Sequence, residues 1–201
     1  MQHNLPAIAE AFRRHYEDDT SHWGNQSGPG SDPFFTIEYR CFVDKFIRMN
    51  KIKTIVDIGC GDWQFSRFLN LEGVNYIGFD VVPSVIEMNR KTFTRDNVRF
   101  EMMPAAMEEI PQGDLLLMKD VLQHLPNGTI AEFKEIIFPK FKHCLLTNSF
   151  IKLNTGQNMD IEPGGFRCLD LAASPYGFSG SYVLEFSSPV WERIRTFLIQ
   201  S

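Results

Sequence analysis

Asp57, Gly59, Gly61 and Asp62 stand within six positions of one another, and Asp80 follows 19 residues after Gly61. An ionised carboxylate only accepts hydrogen bonds, so one such group can receive both vicinal hydroxyls of a ribose. Glycine has no Cβ, so the chain turns sharply there and a ligand can touch bare backbone. Those residue types at that spacing suit the binding of a nucleoside. A second group lies downstream at Lys119, Asp120, Gln123 and His124, where a carboxylate and an imidazole with an ordinary pKa near 6.5 offer proton transfer.

Positioning these groups requires a strand that ends where the glycines begin. Thr54 to Ile58 supplies it, because Ile55, Val56 and Ile58 are β-branched and apolar, as in a parallel strand buried on both faces. The pattern from Gln64 to Asn70 predicts a helix after the turn. Val74 to Asp80 reads as the second strand and Val98 to Met102 as the third. The fourth begins near Asp114, with Lys119 and Asp120 at its carboxyl end, where ligands bind in open α/β sheets. His143 to Phe150, Tyr182 to Phe186 and Arg195 to Gln200 complete the strands. Helices are expected over Ile8 to Glu17 and Phe35 to Met49, the second with Phe35, Tyr39, Phe42, Val43, Phe46 and Ile47 on a core face.

Two cofactor classes use a strand, a glycine turn and a helix N-terminus. A dinucleotide fingerprint wants a third glycine, and that place holds Gln64. The stretch VDIGCGDW instead resembles the first motif of class I S-adenosylmethionine-dependent methyltransferases, and KDVLQHL resembles the turn after their fourth strand. The likeness covers about residues 50 to 150.

That resemblance implies an α/β fold, a doubly wound and mostly parallel seven-stranded sheet with helices on both faces and an antiparallel last strand, for which Thr196 to Ile199 is the better candidate. It also implies S-adenosylmethionine as cofactor and S-adenosylhomocysteine as product. The turn Gly59, Cys60 and Gly61 would pack on the methionine part, with Asp62, Trp63 and Gln64 bordering its tail. Asp57 would lie near the methionine amino group, or bond the N–H groups of the turn. Asp80 would take the ribose. Val81, Met103, Pro104 and Ala105 would surround adenine, with Pro104 standing where many relatives place an Asp. Lys119 joins the cofactor set. His124 is the first choice for a general base and Asp120 the second, set against packing at a helix start for His124 and N-capping for Asp120.

Residues 1–50 are expected to form a helical cap with a covering loop, and residues 51–201 the catalytic domain, with a substrate-lobe insertion at about 152–182. In the Gly- and Ser-rich loop from Asp18 to Pro33, Trp23 could close over a ligand, and Ser27 to Ser31 could turn backbone N–H groups toward an anion; a flexible surface loop is the alternative. Arg40 and Arg167 are candidates for a substrate carboxylate or phosphate, or else for salt bridges.

At 201 residues and 43% hydrophobic, the chain can bury one enzyme-sized core. A net charge of −5 argues against a nucleic-acid footprint. Cys41, Cys60, Cys144 and Cys168 include no C-x-x-C pair, and the histidines are scattered, so no metal is expected and the cysteines read as reduced thiols of a cytoplasmic protein. No stretch has the run of about 18 apolar residues that a membrane span requires. The expected activity is methyl transfer to oxygen or nitrogen of a small metabolite, anionic ones included, such as a sugar, a sugar nucleotide or a secondary-metabolite intermediate. A non-catalytic S-adenosylmethionine-binding protein and an NAD-dependent enzyme are the alternatives, and oligomeric state stays open.

Overall fold

The structure is a computed structural model that describes residues 5–17, 26–151, 157–187 and 193–200. Its strands are β1 (Thr54–Ile58), β2 (Asn75–Asp80), β3 (Val98–Met102), β4 (Gly113–Lys119), β5 (Phe141–Phe150), β6 (Ser181–Ser187) and β7 (Arg193–Gln200). They form one sheet in the order β3-β2-β1-β4-β5-β7-β6. The first five run parallel, and β7 inserts antiparallel between β5 and β6, with Cys144 opposite Ile199.

Alternation along β4 shows how the sheet is covered on both faces. Leu115 and Leu117 belong to one apolar cluster, Leu116 and Met118 to the other, and all four are almost wholly buried. A period of two with no polar side is what a central strand between two layers needs. The helices are α1 (Leu5–Glu17), α2 (Ile37–Met49), α3 (Pro83–Phe93) and α4 (Asn127–Glu132). Tyr39, Val43 and Ile47 carry the packing of α2, whereas Phe35 precedes the helix and is 41% exposed, so the core stripe is narrower than the sequence suggested.

The helix expected over 64–70 is reduced to one 3₁₀ turn, Ser66–Phe68. Trp63 takes φ 58, a left-handed conformation that no right-handed helix can include, and its ring fills the core between Tyr76, Phe93 and Phe100. Burying the indole decides the local backbone.

Between β5 and β6, residues 157–180 form neither helix nor strand. Asn158 organises them, donating through Nδ2 to the carbonyls of Asp170 (2.8 Å) and Ser174 (2.9 Å) and accepting the Asp170 N–H at 2.9 Å. Leu169, Leu171, Tyr176 and Phe178 then extend the cluster that contains Ile130 of α4. Among the described residues no helix is long and apolar enough to cross a membrane.

Candidate active site

The carboxyl ends of β1, β2 and β4 open on one cavity of about 940 Å³, its mouth included. Its floor is the glycine turn. Gly59 (φ 76) and Gly61 (φ 53) are left-handed, and a Cβ would collide with Val121 at the first and with Ser27 Oγ at the second. The N–H groups of Gly59 and Cys60 both donate to the Phe79 carbonyl, at 2.8 and 3.0 Å, which ties the turn to β2.

Asp80 closes this corner. Its Oδ2 accepts the Gly61 N–H and its Oδ1 the Val82 N–H, each at 3.0 Å. Burial pushes its pKa up to about 6, against the lowering effect of those backbone bonds. Asp57 also borders the cavity and is buried. The Tyr76 hydroxyl and, at 3.4 Å, the Ser66 hydroxyl donate to its Oδ2. Burial pushes this carboxyl up to about 6 as well, and the charge of Asp80 adds to the rise.

A strap crosses above the turn. The Ser27 hydroxyl donates to Asp62 Oδ1 at 2.6 Å and accepts the Asp62 N–H at 3.0 Å, and the Tyr16 hydroxyl lies 2.7 Å from the same oxygen. At its other end the Gly30 carbonyl accepts from Lys119 Nζ at 2.9 Å. The sequence reading had offered N–H groups of this segment to an anion. In the structure the Ser31 N–H turns back to the Gly28 carbonyl at 3.0 Å, the Ser27 N–H points to Asp62, and a carbonyl faces the site.

Lys119 is thereby held at both sides, because it also pairs with Oδ2 of Asp120. Asp120 has φ 57 and donates its N–H to the Thr147 carbonyl of β5 at 2.8 Å. A left-handed backbone is uncommon for a residue other than glycine, and aspartate is one of the few side chains that adopts it readily. Its Oδ1 is buried and has no hydrogen-bond partner.

The other expected residues fall into three places. Cys60, Val81, Met103, Lys119 and Asp120 line the cavity with Gly59 and Gly61. Asp62, Trp63, Pro104 and Ala105 are not among the lining residues: Asp62 anchors the strap, Trp63 is a core plug and Ala105 is exposed. His124 is buried behind the wall, its Nδ1–H donating to the Gly165 carbonyl at 2.7 Å and its Nε2 facing Gln123 Nε2 at 3.4 Å. A carbonyl partner fixes the proton on Nδ1, and burial holds the imidazole pKa below its ordinary value.

Neither arginine lines the cavity. Arg167 is 4% exposed and donates to the Gln123 carbonyl (3.3 Å), Asn127 Oδ1 (2.9 Å) and the Tyr176 hydroxyl (2.8 Å), bracing residues 157–180 against α4. Arg40 donates to the Pro33 carbonyl at 2.8 Å and lies over Phe68. Trp23 lies outside the described residues.

Sequence reasoning expected a helical cap but named none of its cavity-lining residues, nor those of the far wall. Leu5, Ile8, Phe12 and Tyr16 of α1 line the cavity, as do Thr129 of α4 and Phe133 just beyond it. The spacing of three, four and four along α1 was the available signal, since such a stripe needs something to cover. Among the described residues no group of His, Cys, Asp or Glu could hold a metal ion.

Residues 55–139 match the family model described as a methyltransferase domain. A ubiquinone biosynthesis O-methyltransferase of Rickettsia bellii is 27% identical over 82 residues, covering 39% of this chain and 33% of the relative. The match thus spans about a third of that protein's length. Among solved structures, magnesium protoporphyrin IX methyltransferase from Synechocystis PCC 6803, with bound S-adenosylhomocysteine, aligns at a TM-score of 0.60 and 14% identity, over 96% of this chain and 94% of the other. Mitomycin 7-O-methyltransferase aligns at 0.63 and 16% identity, over 95% of this chain and 60% of the other. At such identities the structural likeness is one of fold, and the strand order with its inserted antiparallel β7 is the same feature seen from inside the chain. That topology gives this chain the fold of the class I methyltransferases, and residues 55–139, which hold the glycine corner, match a methyltransferase domain.

Proposed function

We propose that the protein transfers a methyl group from S-adenosylmethionine to an oxygen of a small molecule. The observation that carries the reading is the single cavity in which the glycine turn, Asp80 and Asp120 meet. The residues fit the cofactor: the turn leaves no room for a Cβ, and Asp80 stands at the end of β2 with acceptor capacity left on both oxygens for ribose hydroxyls. Asp57 serves the methionine ammonium, and Val81, Met103 and Phe133 give adenine apolar walls.

The cofactor supplies an electrophilic methyl carbon on a sulfonium. The protein therefore needs only to align the acceptor, keep water out and take up a proton. The strap and α1 exclude water from above. Asp120 is the group we assign to the proton, because it is the carboxylate that lines the cavity at the end of β4. His124 braces the wall through Gly165 and through Phe12, whose ring meets the imidazole edge-on at 5.8 Å.

An NAD-dependent enzyme fits less well, since a pyrophosphate is held at a helix N-terminus and only a 3₁₀ turn follows this glycine corner. Calorimetric titration with S-adenosylmethionine, S-adenosylhomocysteine and NAD in parallel tests the reading. Micromolar binding of the two sulfur nucleotides alone is expected, and NAD binding, or silence from all three, would reject it. Cofactor binding with no methyl consumed across an acceptor screen would favour a non-catalytic binding protein.

A further inference from the structure

We infer that the methyl acceptor is a neutral molecule presenting a phenolic or enolic hydroxyl, and that carboxylates and phosphates are excluded from the site. The inference rests on the proposed methyl transfer and goes on to name the substrate class.

Charge around the cavity is the first argument. Asp57, Asp80 and Asp120 border it, and among the described residues Lys119 is the lone lysine or arginine that does. Its ammonium is committed to the Asp120 carboxylate and the Gly30 carbonyl, with its side chain only 3% exposed. With Asp57 and Asp80 turned to the cofactor and Lys119 spent on Asp120, an anionic acceptor would find no free cation in the cavity lining. An anion brought into a partly buried site without a partner charge loses its hydration uncompensated. The two arginines suited to holding an anion are tied to Asn127, Tyr176 and Pro33, away from the cavity.

The second argument comes from the walls and the base. Phe12, Phe65 and Val121 line the cavity beside Asp120 and Gly59, a surface suited to a flat apolar ring. The base is a single carboxylate oxygen, and proton transfer to it is least uphill from an acidic hydroxyl. A phenol ionises near pH 10, as tyrosine does, and is far closer to a carboxylate than an alkyl hydroxyl is. In the balanced step the acceptor oxygen forms its bond to the methyl carbon, and the carbon–sulfur bond breaks with its electron pair going to sulfur. The hydroxyl proton passes to the Asp120 carboxylate, so a neutral thioether and a methyl ether leave the site.

The test is a binding titration of the protein saturated with S-adenosylhomocysteine, using catechol and 3,4-dihydroxybenzoate as a pair that differs by one carboxylate. We expect catechol to bind at least about tenfold more tightly at pH 7.5, and Asp120→Asn to narrow that gap by freeing the Lys119 ammonium for the probe's carboxylate. Equal or tighter binding of the carboxylated probe overturns the inference, and so does binding of neither. Saturation with S-adenosylhomocysteine is measured first in the same cell. If that step fails, the methyltransferase reading falls with it; if it succeeds and the preference is reversed, only the acceptor class is lost.

Discussion

Two carboxylates stand at strand ends on either side of β1 in the same sheet and are held in opposite ways. Asp80, at the end of β2, has both oxygens engaged by backbone N–H groups, those of Gly61 and Val82. Asp120, just past β4, has one oxygen on Lys119, the other without a partner, and a left-handed backbone. A carboxylate fixed by two main-chain donors is a rigid acceptor, fit for recognition. One with an oxygen left unpartnered in a left-handed turn has kept acceptor capacity, the basis for assigning it the proton.

The largest way to break this contrast is Asp120→Asn. It keeps the shape and removes the proposed base, so turnover should fall on the order of 10²- to 10³-fold, while the calorimetric affinity for S-adenosylhomocysteine stays within about twofold of the parent. Normal turnover would return Asp120 to a structural role in the strap. Gly61→Ala strikes the other corner. Its Cβ would displace Ser27 from Asp62 and must also adopt φ 53, and we expect cofactor affinity to drop by about 3 kcal/mol from strain and lost latch bonds together. An unchanged dissociation constant would show that the strap does not close over the cofactor.

The same contrast explains what could be read from the chain alone. The Asp80 corner is local: strand, turn and strand lie within residues 54–80, so alternation and glycine spacing suffice to place Asp57, Gly59, Gly61 and Asp80 at the cavity. The Asp120 corner is made by segments far apart in sequence. Gly30 meets Lys119 across 89 positions, and Gly165 meets His124 across 41. Nothing in the periodicity of either segment announces its partner. Trp63 misled for a related reason, since its left-handed backbone is imposed by burial against β2, β3 and α3, where tertiary packing overrides the local helical pattern. Arg167 looked like a substrate clamp because an arginine in a turn-rich stretch usually faces water. Here it is a buried brace for that stretch.

A smaller effect sharpens the recognition side. Asp80→Ala leaves the Gly61 and Val82 N–H groups without their acceptor and removes the ribose partner, which should weaken S-adenosylhomocysteine binding by about 2 kcal/mol with the fold intact. A calorimetric constant equal to that of the parent would take the ribose role away from Asp80.

The smallest effect is a dependence on pH, and its sign separates recognition from folding. Burial pushes the carboxyls of Asp57 and Asp80 up to about 6 from an ordinary value of 3.8. Between those values the folded protein holds more protons than the unfolded chain, so their contribution to stability falls as pH rises through that window and the penalty is complete above about pH 6. Ligand binding runs the other way. In the proposed ribose role an ionised Asp80 would accept from both hydroxyls, so the affinity for S-adenosylhomocysteine should rise with pH up to about 6, losing at most about tenfold for each unit below it. Asp114, held below the usual carboxylate range by the Lys142 ammonium, contributes to stability with the opposite slope, so melting curves of the parent alone would mix the terms. The informative quantity is the difference between the parent and Asp80→Asn. Removing the titrating group should flatten the binding profile between pH 5 and about 6.5. A variant that keeps the full slope would transfer the titration to Asp57, and with it the claim that a carboxylate of the glycine corner senses the cofactor.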